Sequence, residues 1–231
     1  MTQVLDHGYV EYVDHWGSDE AIVEAARMSV KGGFVSWTPY EAHKDGDAGL
    51  LRHLWRSKHS SPFEFAGLIV EVKAPIVVFR EWHRHRTMSY AEMSARYTPL
   101  PNENYVPSVE RYMMAADKAN KQAGTIAGAE PMTRKVAESE ISNLKFIYED
   151  AQLAYEAALR SGVPKELARL RLPVARYSRM RASANLLNWT KFLTLRTAPD
   201  AMWEIRQYAE AVSSEIQRLF PRVHELWADK L

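Results

Sequence analysis

Residues 84–97 (RHRTMSYAEMSARY) limit what this chain can build. Three Arg, one His, one Glu, two Ser and two Tyr fall within these fourteen residues, and only Met88 and Met93 are available to an apolar stripe. A packed helix needs such a stripe, so the segment is expected to be an exposed loop, with the core built from its flanks. An apolar run, 74–79, leads into it, and the Pro-containing stretch 97–101 (YTPLP) follows. A solvated charged loop is the ordinary reading of such a segment. Two features favour an anion site instead. The cations are all Arg, whose planar fork pairs bidentately with phosphate, and Ser hydroxyls with loop N–H groups can complete a cradle. His83 and His85 form an H-x-H pair, but no Cys or third His follows at ligand spacing, and no metal site is expected.

The rest of the chain can supply that core. At 231 residues with 46% hydrophobic and 26% charged residues, it is expected to be one α+β domain over 1–231. The formal net charge of +1 argues against a surface built for nucleic acid or anionic membrane. No cysteine is present, which excludes disulfides, Cys-ligated zinc, Fe–S clusters and any thiolate nucleophile. The first residues lack a basic-then-apolar signal pattern, and no apolar run approaches the ~20 residues of a membrane span. A cytoplasmic location is therefore expected.

Residues 4–13 partly alternate and predict a first strand. Ser18 and Asp19 are candidate N-caps for a helix reaching Met28. Residues 31–39 carry Gly and Pro and predict a loop, and 49–58 predict a short helix with Leu51, Leu54 and Trp55 on one face. A polar turn at 59–64 precedes a strand over 65–72. Ala74-Pro75 predicts a helix start, with Glu81 and Arg84 delivered into the Arg-rich loop. Residues 97–108 should be extended, and 111–131 a surface excursion.

Ala137, Ile141, Leu144, Tyr148, Ala151, Tyr155 and Ala158 recur at helical spacing and predict a long amphipathic helix, packed within the domain or against another subunit. Gly162 should end it and Pro164 start a further helix, on which Glu166 and Arg169 share a face. Leu172-Pro173 breaks that helix. A strand over 175–187 carries Arg176, Arg179 and Arg181, a short helix covers 189–196, and the stripe Met202, Ile205, Ala209, Val212, Ile216, Leu219 marks the last clear helix.

Arg84-His85-Arg86, then seven residues, then Ser94-Ala95-Arg96-Tyr97 resembles the signature of the flavin-dependent thymidylate synthases. His59-Ser60-Ser61-Pro62-Phe63-Glu64 resembles the same family's H-x-T/S-P-F-E segment. The resemblance covers nearly the whole chain. It implies an antiparallel sheet with flanking helices, and a homotetramer whose active sites are shared between subunits. It also implies conversion of dUMP to dTMP, with bound FAD reduced by NADPH and methylenetetrahydrofolate as carbon donor.

The resemblance implies site residues as well. Arg84, His85, Arg86 and Glu92 match flavin contacts, as do Ser61, His59, Asn185 and Lys191. Arg84, Glu92, Met93, Ser94, Ala95, Arg96 and Arg169 match the dUMP site, with Ser94, Ala95 and Arg96 at its phosphate loop. Glu81 stands where relatives commonly have Gln, and a carboxylate there is an acceptor only. Leu187 and Lys191 replace polar residues, so the adenine and pyrophosphate end of FAD is expected to be held differently here.

Electrophilic substitution at C5 of uracil without a thiol needs the ring made electron-rich, and a fixed cation beside N3–O2 would stabilise the N3 anion. Arg196 matches the family's Arg in that role. Read alone, Arg196 is better explained as a helix C-terminal cation answering the macrodipole, and His59 is equally a capping or surface His. Ser94 has no evident adjacent base and is not read as a nucleophile. Two other functions remain open: a non-catalytic nucleotide- or RNA-binding protein using the Arg loop, against which the near-zero charge counts, and a flavoprotein acting on another substrate.

Overall fold

The computed structural model describes residues 1–30, 32–41, 43–114 and 132–229. Five antiparallel strands form one sheet in the order β1-β2-β3-β5-β4, namely β1 (Thr2–Val4), β2 (Gly8–Trp16), β3 (Gly67–Pro75), β4 (Ser89–Glu92) and β5 (Tyr177–Asn185). The expected α+β class and antiparallel sheet are what the structure shows. The stretch read as one strand over 4–13 is instead a hairpin. Leu5 takes a left-handed φ of 58°, and Val4 pairs with Gly8 across the turn.

Alternation on β3 and β5 places the core. Leu68, Val70, Val72 and Ala74 are buried, as are Met180, Ala182 and Ala184, while Glu71, Lys73, Arg179 and Arg181 between them carry charge toward solvent. The buried residues share one core with helices α7 (Leu186–Arg196) and α8 (Trp203–Leu219). Trp189 donates its indole N–H to the Leu68 carbonyl at 2.9 Å. Trp82, at the end of α3 (Ile76–Trp82), stacks on Phe192 with ring centroids 4.6 Å apart. Each such aromatic, fully buried, contributes roughly 1.5–3 kcal/mol.

The start of α1 (Asp19–Ala26) follows its cap: Ser18 Oγ accepts from the Ala21 N–H. The helix stops at Ala26, short of Met28. The Asp19 carboxylate, buried, also accepts from the Arg222 and Val223 N–H groups at the start of α9 (Pro221–Ala228), a helix the sequence reading did not anticipate. Helix α2 (Gly46–Arg56) begins three residues earlier than expected. It ends in a reciprocal pair of bonds, Lys58 N–H to the Trp55 carbonyl at 3.1 Å and His59 N–H to the Leu54 carbonyl at 2.9 Å. This is the Schellman arrangement, which usually places Gly at its left-handed position. Here that position is Lys58, at φ 55°, a conformation costing a non-Gly residue roughly 1–2 kcal/mol.

A short 3-10 turn (Ser61–Phe65) then enters β3, which runs through Pro75, so α3 opens one residue after the proline rather than on it. After α4 (Val109–Met113), residues 115–131 of the expected surface excursion lie outside the described residues. Helix α5 (Arg134–Arg160) buries Ala137, Tyr148, Tyr155 and Ala158 of its predicted stripe. Gly162, at φ 80°, ends it, and Pro164 caps α6 (Lys165–Ala168). Among the three arginines read on one strand, Arg176 precedes β5 and is fully buried. Its guanidinium donates to the Pro101 carbonyl, Asn102 Oδ1 and Gln152 Oε1, which fastens the extended segment 97–108 to α5. No helix among the described residues is long and apolar enough to cross a membrane.

Candidate active site

The Arg-rich stretch is not a loop throughout. Its middle, Ser89–Glu92, pairs as edge strand β4 with β5, Ser89 opposite Ser183 and Glu92 opposite Met180. Three of its four residues are exposed or nearly so, which is why no hydrophobic alternation announced it.

The turn before β4 is fastened to both ends of α7. At the start of α7, Asn185 Oδ1 accepts from the Asn188 N–H at 3.0 Å and from its side-chain amide at 2.8 Å. Thr87 Oγ1 in turn donates to Asn188 Oδ1 at 2.9 Å. At the far end, Arg196 Nε donates to His85 Nε2 at 2.9 Å, Nη1 to Glu81 Oε2 at 2.8 Å, and Nη2 to the Glu81 carbonyl at 2.9 Å. Tyr90 closes the turn by donating to the carbonyls of Trp82 (3.0 Å) and His85 (2.8 Å). Thr87, Tyr90 and Asn188 had no role in the sequence reading; their partners are distant in the chain.

This clamp has a defined charge state. Burial, then the neighbouring Arg196 charge, pushes the His85 pKa down to about 4, so the ring is neutral near pH 7 and its Nε2 accepts. Burial raises the Tyr90 hydroxyl to about 12. Each Nη of Arg196 has spent one N–H on Glu81, which leaves one further N–H on each. That pair of donors suits a planar O–C–N edge carrying negative charge.

A cavity of about 670 Å³ is lined by Glu92, Met93, Ser94, Ala95, Arg96 and Arg169, residues expected together, and by Arg80 and His83, which the sequence reading left unused as ligands. The Arg96 N–H and Nε donate to Ser94 Oγ at 3.3 and 3.4 Å, and the Tyr97 and Thr98 N–H groups turn back to the Ser94 carbonyl. Ser94 is thus a corner of a tight turn that aims Arg96. Arg80, Arg96 and Arg169 have no described carboxylate within ion-pair distance, whereas Arg27, Arg111, Arg196 and seven other described arginines do. Three unpaired guanidinium groups around one cavity form an anion site. His83 turns its Nε2 to Met180 Sδ at 3.2 Å, away from the His85 clamp.

A second, more apolar cleft of about 790 Å³ takes His59, Leu187 and Lys191, together with Leu54, Trp55 and Phe63. Ser61 begins the adjoining 3-10 turn but is not among the lining residues. Arg84 and Arg86 are exposed and line neither cavity, so the residues matched to flavin contacts are divided on one chain: His85 in the clamp, His59 and Lys191 in the cleft, and Glu92 in the basic cavity. Apolar and aromatic side chains, with Trp55 and Phe63 edge-to-face, beside the basic Arg56, Lys58 and Lys191 fit a flavin bearing phosphate in the donor set they offer.

An α+β fold with three unpaired guanidinium groups around one cavity, and a further guanidinium clamped by Glu81 and His85, suits an enzyme of anionic nucleotides. Residues 11–222 match the family described as thymidylate synthase complementing protein. The chain is 41% identical over 218 residues to the flavin-dependent thymidylate synthase of Thermus thermophilus, covering 94% of this chain and 74% of that protein. To the protein of the same name from Anaplasma marginale it is 37% identical over 227 residues, covering 98% and 74%. It also resembles the crystal structure of a UMP/dUMP methylase PolB from Streptomyces cacaoi bound with 5-Br dUMP, with TM-score 0.82, 34% identity, and 98% and 97% of the two chains covered. The chain belongs to the flavin-dependent thymidylate synthase family.

Proposed function

We propose that this enzyme methylates C5 of dUMP to give dTMP, with methylenetetrahydrofolate as one-carbon donor and FAD reduced by NADPH. The observation that carries the reading is the Arg196 clamp: a guanidinium fixed by Glu81 and His85, on the same turn that contributes Arg80 and His83 to the basic cavity. Arg96 and Arg169, with Arg80, hold the 5′-phosphate. The free Arg196 N–H groups meet the N3–O2 edge of uracil and stabilise the anion left when N3 loses its proton, which raises electron density at C5. Glu92, at the rim of the cavity, accepts from the nucleotide where it adjoins the flavin. When bound, the flavin supplies the reducing equivalents that turn the transferred one-carbon unit into a methyl group. His59 and Lys191 would hold it along the apolar cleft, with Arg84, Arg86, Ser61 and Asn185 contributing from elsewhere on the surface. Because these groups lie apart on one chain, the reading includes a homotetramer in which neighbouring chains complete each site. A cytoplasmic location fits a pathway making a DNA precursor.

The test is an anaerobic assay. NADPH is added to the purified protein and flavin absorbance is followed; methylenetetrahydrofolate is then added with dUMP, with UMP, or with neither. Reoxidation and dTMP formation only in the presence of dUMP is the expected result. Reoxidation indifferent to dUMP sinks the substrate, and a protein that never takes up flavin sinks the cofactor.

A further inference from the structure

Arg196 is not the only group that fastens residues 81–85. It donates to the Glu81 carboxylate and carbonyl and to His85 Nε2. Tyr90 holds the same stretch through its backbone: the hydroxyl reaches the carbonyl of Trp82, next to Glu81, at 3.0 Å and that of His85 at 2.8 Å. A hydroxyl carries one hydrogen, so the two carbonyls share it. The spacing of the two residues that seat Arg196 thus depends on one atom. Burial raises that hydroxyl to about 12, so it keeps its hydrogen at neutral pH.

The ring of Tyr90 touches the other half of the site. Its centroid lies 4.8 Å from that of His83, at 69°, and His83 lines the basic cavity. Glu92, two residues along β4 and on the same face as Tyr90, lines that cavity too. The strand between them is paired to β5, with Tyr90 opposite Ala182 and Glu92 opposite Met180, and the Met93 N–H donates to the Arg179 carbonyl at 2.8 Å. The path from the clamp to the Ser94 turn therefore runs through Tyr90 and residues 91–93, all held alongside β5. A nucleoside 5′-monophosphate has a limited span from base to phosphate. Both of its ends are met only if the clamp and the cavity arginines keep their spacing.

We propose, resting on the dUMP reading above, that Tyr90 is a positioning residue: its hydroxyl keeps the Glu81–His85 seat of Arg196 in register with the Arg80, Arg96 and Arg169 cavity, so that base and 5′-phosphate of one nucleotide are met together. Tyr90 touches neither the base nor the phosphate and acts through the groups that do.

The experiment sets Tyr90→Phe beside Tyr148→Phe. Each removes one hydroxyl that donates to backbone carbonyl, and Tyr148, bonded to the Tyr105 carbonyl at 3.2 Å, lies outside the site. The phenyl ring in Tyr90→Phe keeps the contact with His83, and melting temperatures check that both variants fold. Measured for each are kcat for dTMP formation, the calorimetric Kd for dUMP, and solvent exchange of the Arg196 Nε–H by NMR of arginine-labelled protein. In Tyr90→Phe the cavity arginines still hold the phosphate while the clamp drifts. The expected result is kcat lowered about tenfold, dUMP Kd moved less than about threefold, and the Arg196 Nε–H exchanging about tenfold faster. Tyr148→Phe should lower the melting temperature and leave the other readouts unchanged. Tyr90→Phe matching Tyr148→Phe in kcat and exchange overturns the proposal, as does a loss confined to dUMP affinity. If the unaltered chain makes no dTMP, the substrate reading fails, and the Arg196 Nε–H then decides: faster exchange in Tyr90→Phe than in Tyr148→Phe supports Tyr90 as the holder of the clamp, and equal exchange overturns it.

Discussion

Arg196 and Glu81 are joined twice, through the carboxylate at 2.8 Å and through the backbone carbonyl at 2.9 Å. The second bond fixes the guanidinium plane relative to α3 whatever the charge on residue 81. Glu81→Gln keeps an acceptor, so Arg196 stays in place and turnover is largely retained. Glu81→Ala leaves one bond to the carbonyl and one to His85; a guanidinium displaced by ~1 Å costs about 10²-fold in rate, and kcat is expected to fall by that order. Arg196→Lys cannot reach His85 and Glu81 together from one ammonium, and Arg196→Ala should keep flavin and lose most dTMP formation. Steady-state kinetics beside flavin content checks the set; near-normal turnover in Arg196→Ala would remove the clamp from the mechanism.

Arg96 is held by Ser94 at the cavity it shares with Glu92, and no described carboxylate lies within ion-pair distance of it. Removing one charge-assisted contact costs roughly 1.5–3 kcal/mol, so Arg96→Ala should weaken dUMP binding about ten- to hundredfold. Arg169→Ala and Arg80→Ala should act in the same direction. Calorimetric titration with dUMP measures this directly, and unchanged affinity in Arg96→Ala would move the phosphate elsewhere.

His85 stays neutral because burial and then Arg196 disfavour its charged form, with a pKa of about 4 in the folded chain against about 6.5 when exposed. Between those values the folded state binds fewer protons than the unfolded one, so stability rises with pH across the window. The contribution is complete above about 6.5 and is lost as pH falls toward 4. Histidine-ring NMR should show His85 neutral at pH 5.5. Arg196→Ala should bring its titration only part of the way back, because burial is the larger cause. Titration of His85 near pH 6.5 in the unaltered chain would contradict the clamp.

Asp19 behaves in the opposite sense. Burial raises its pKa to about 6, against the lowering pull of the Arg222 and Val223 N–H groups. The folded chain holds this proton more tightly, so the stabilisation is full below about 3.8 and lost as pH rises through about 6. Asp19→Asn keeps an acceptor and cannot ionise. Melting temperatures at pH 4.5 and 7 should therefore differ less in the variant; an unchanged difference would mean Asp19 is ionised throughout.

Much of the frame could be read from residues alone, where local chemistry decides it. The Ser18 cap, the Gly162-Val163-Pro164 break and the stripe on α5 use rules acting over a few residues. What escaped depends on partners elsewhere. The turn at Leu5 interrupts a run whose composition favours a strand, and β4 owes its pairing to β5 rather than to its own pattern. Helix α9 begins on Phe220-Pro221, which reads as the end of α8, and it is held by Asp19 some 200 positions away. In the site, Ser94 and Arg96 lie in the Arg-rich segment read as an anion site, and Arg169 was added by resemblance; the fold brings the three to one cavity. Arg196 was named only by resemblance, since its partner Glu81 lies 115 positions earlier. Arg80, His83, Thr87 and Tyr90 went unassigned because nothing local marks them.

Helix α7 carries Leu187 and Lys191 on the apolar cleft and Arg196 in the clamp. Its eleven residues span about 16 Å as one rigid rod, pinned at its first turn to Thr87 and at its last to His85. Leu187 and Lys191 on the cleft and Arg196 in the clamp therefore sit on one rod, and a sequence change that shifts α7 at either end acts on a helix held at the other.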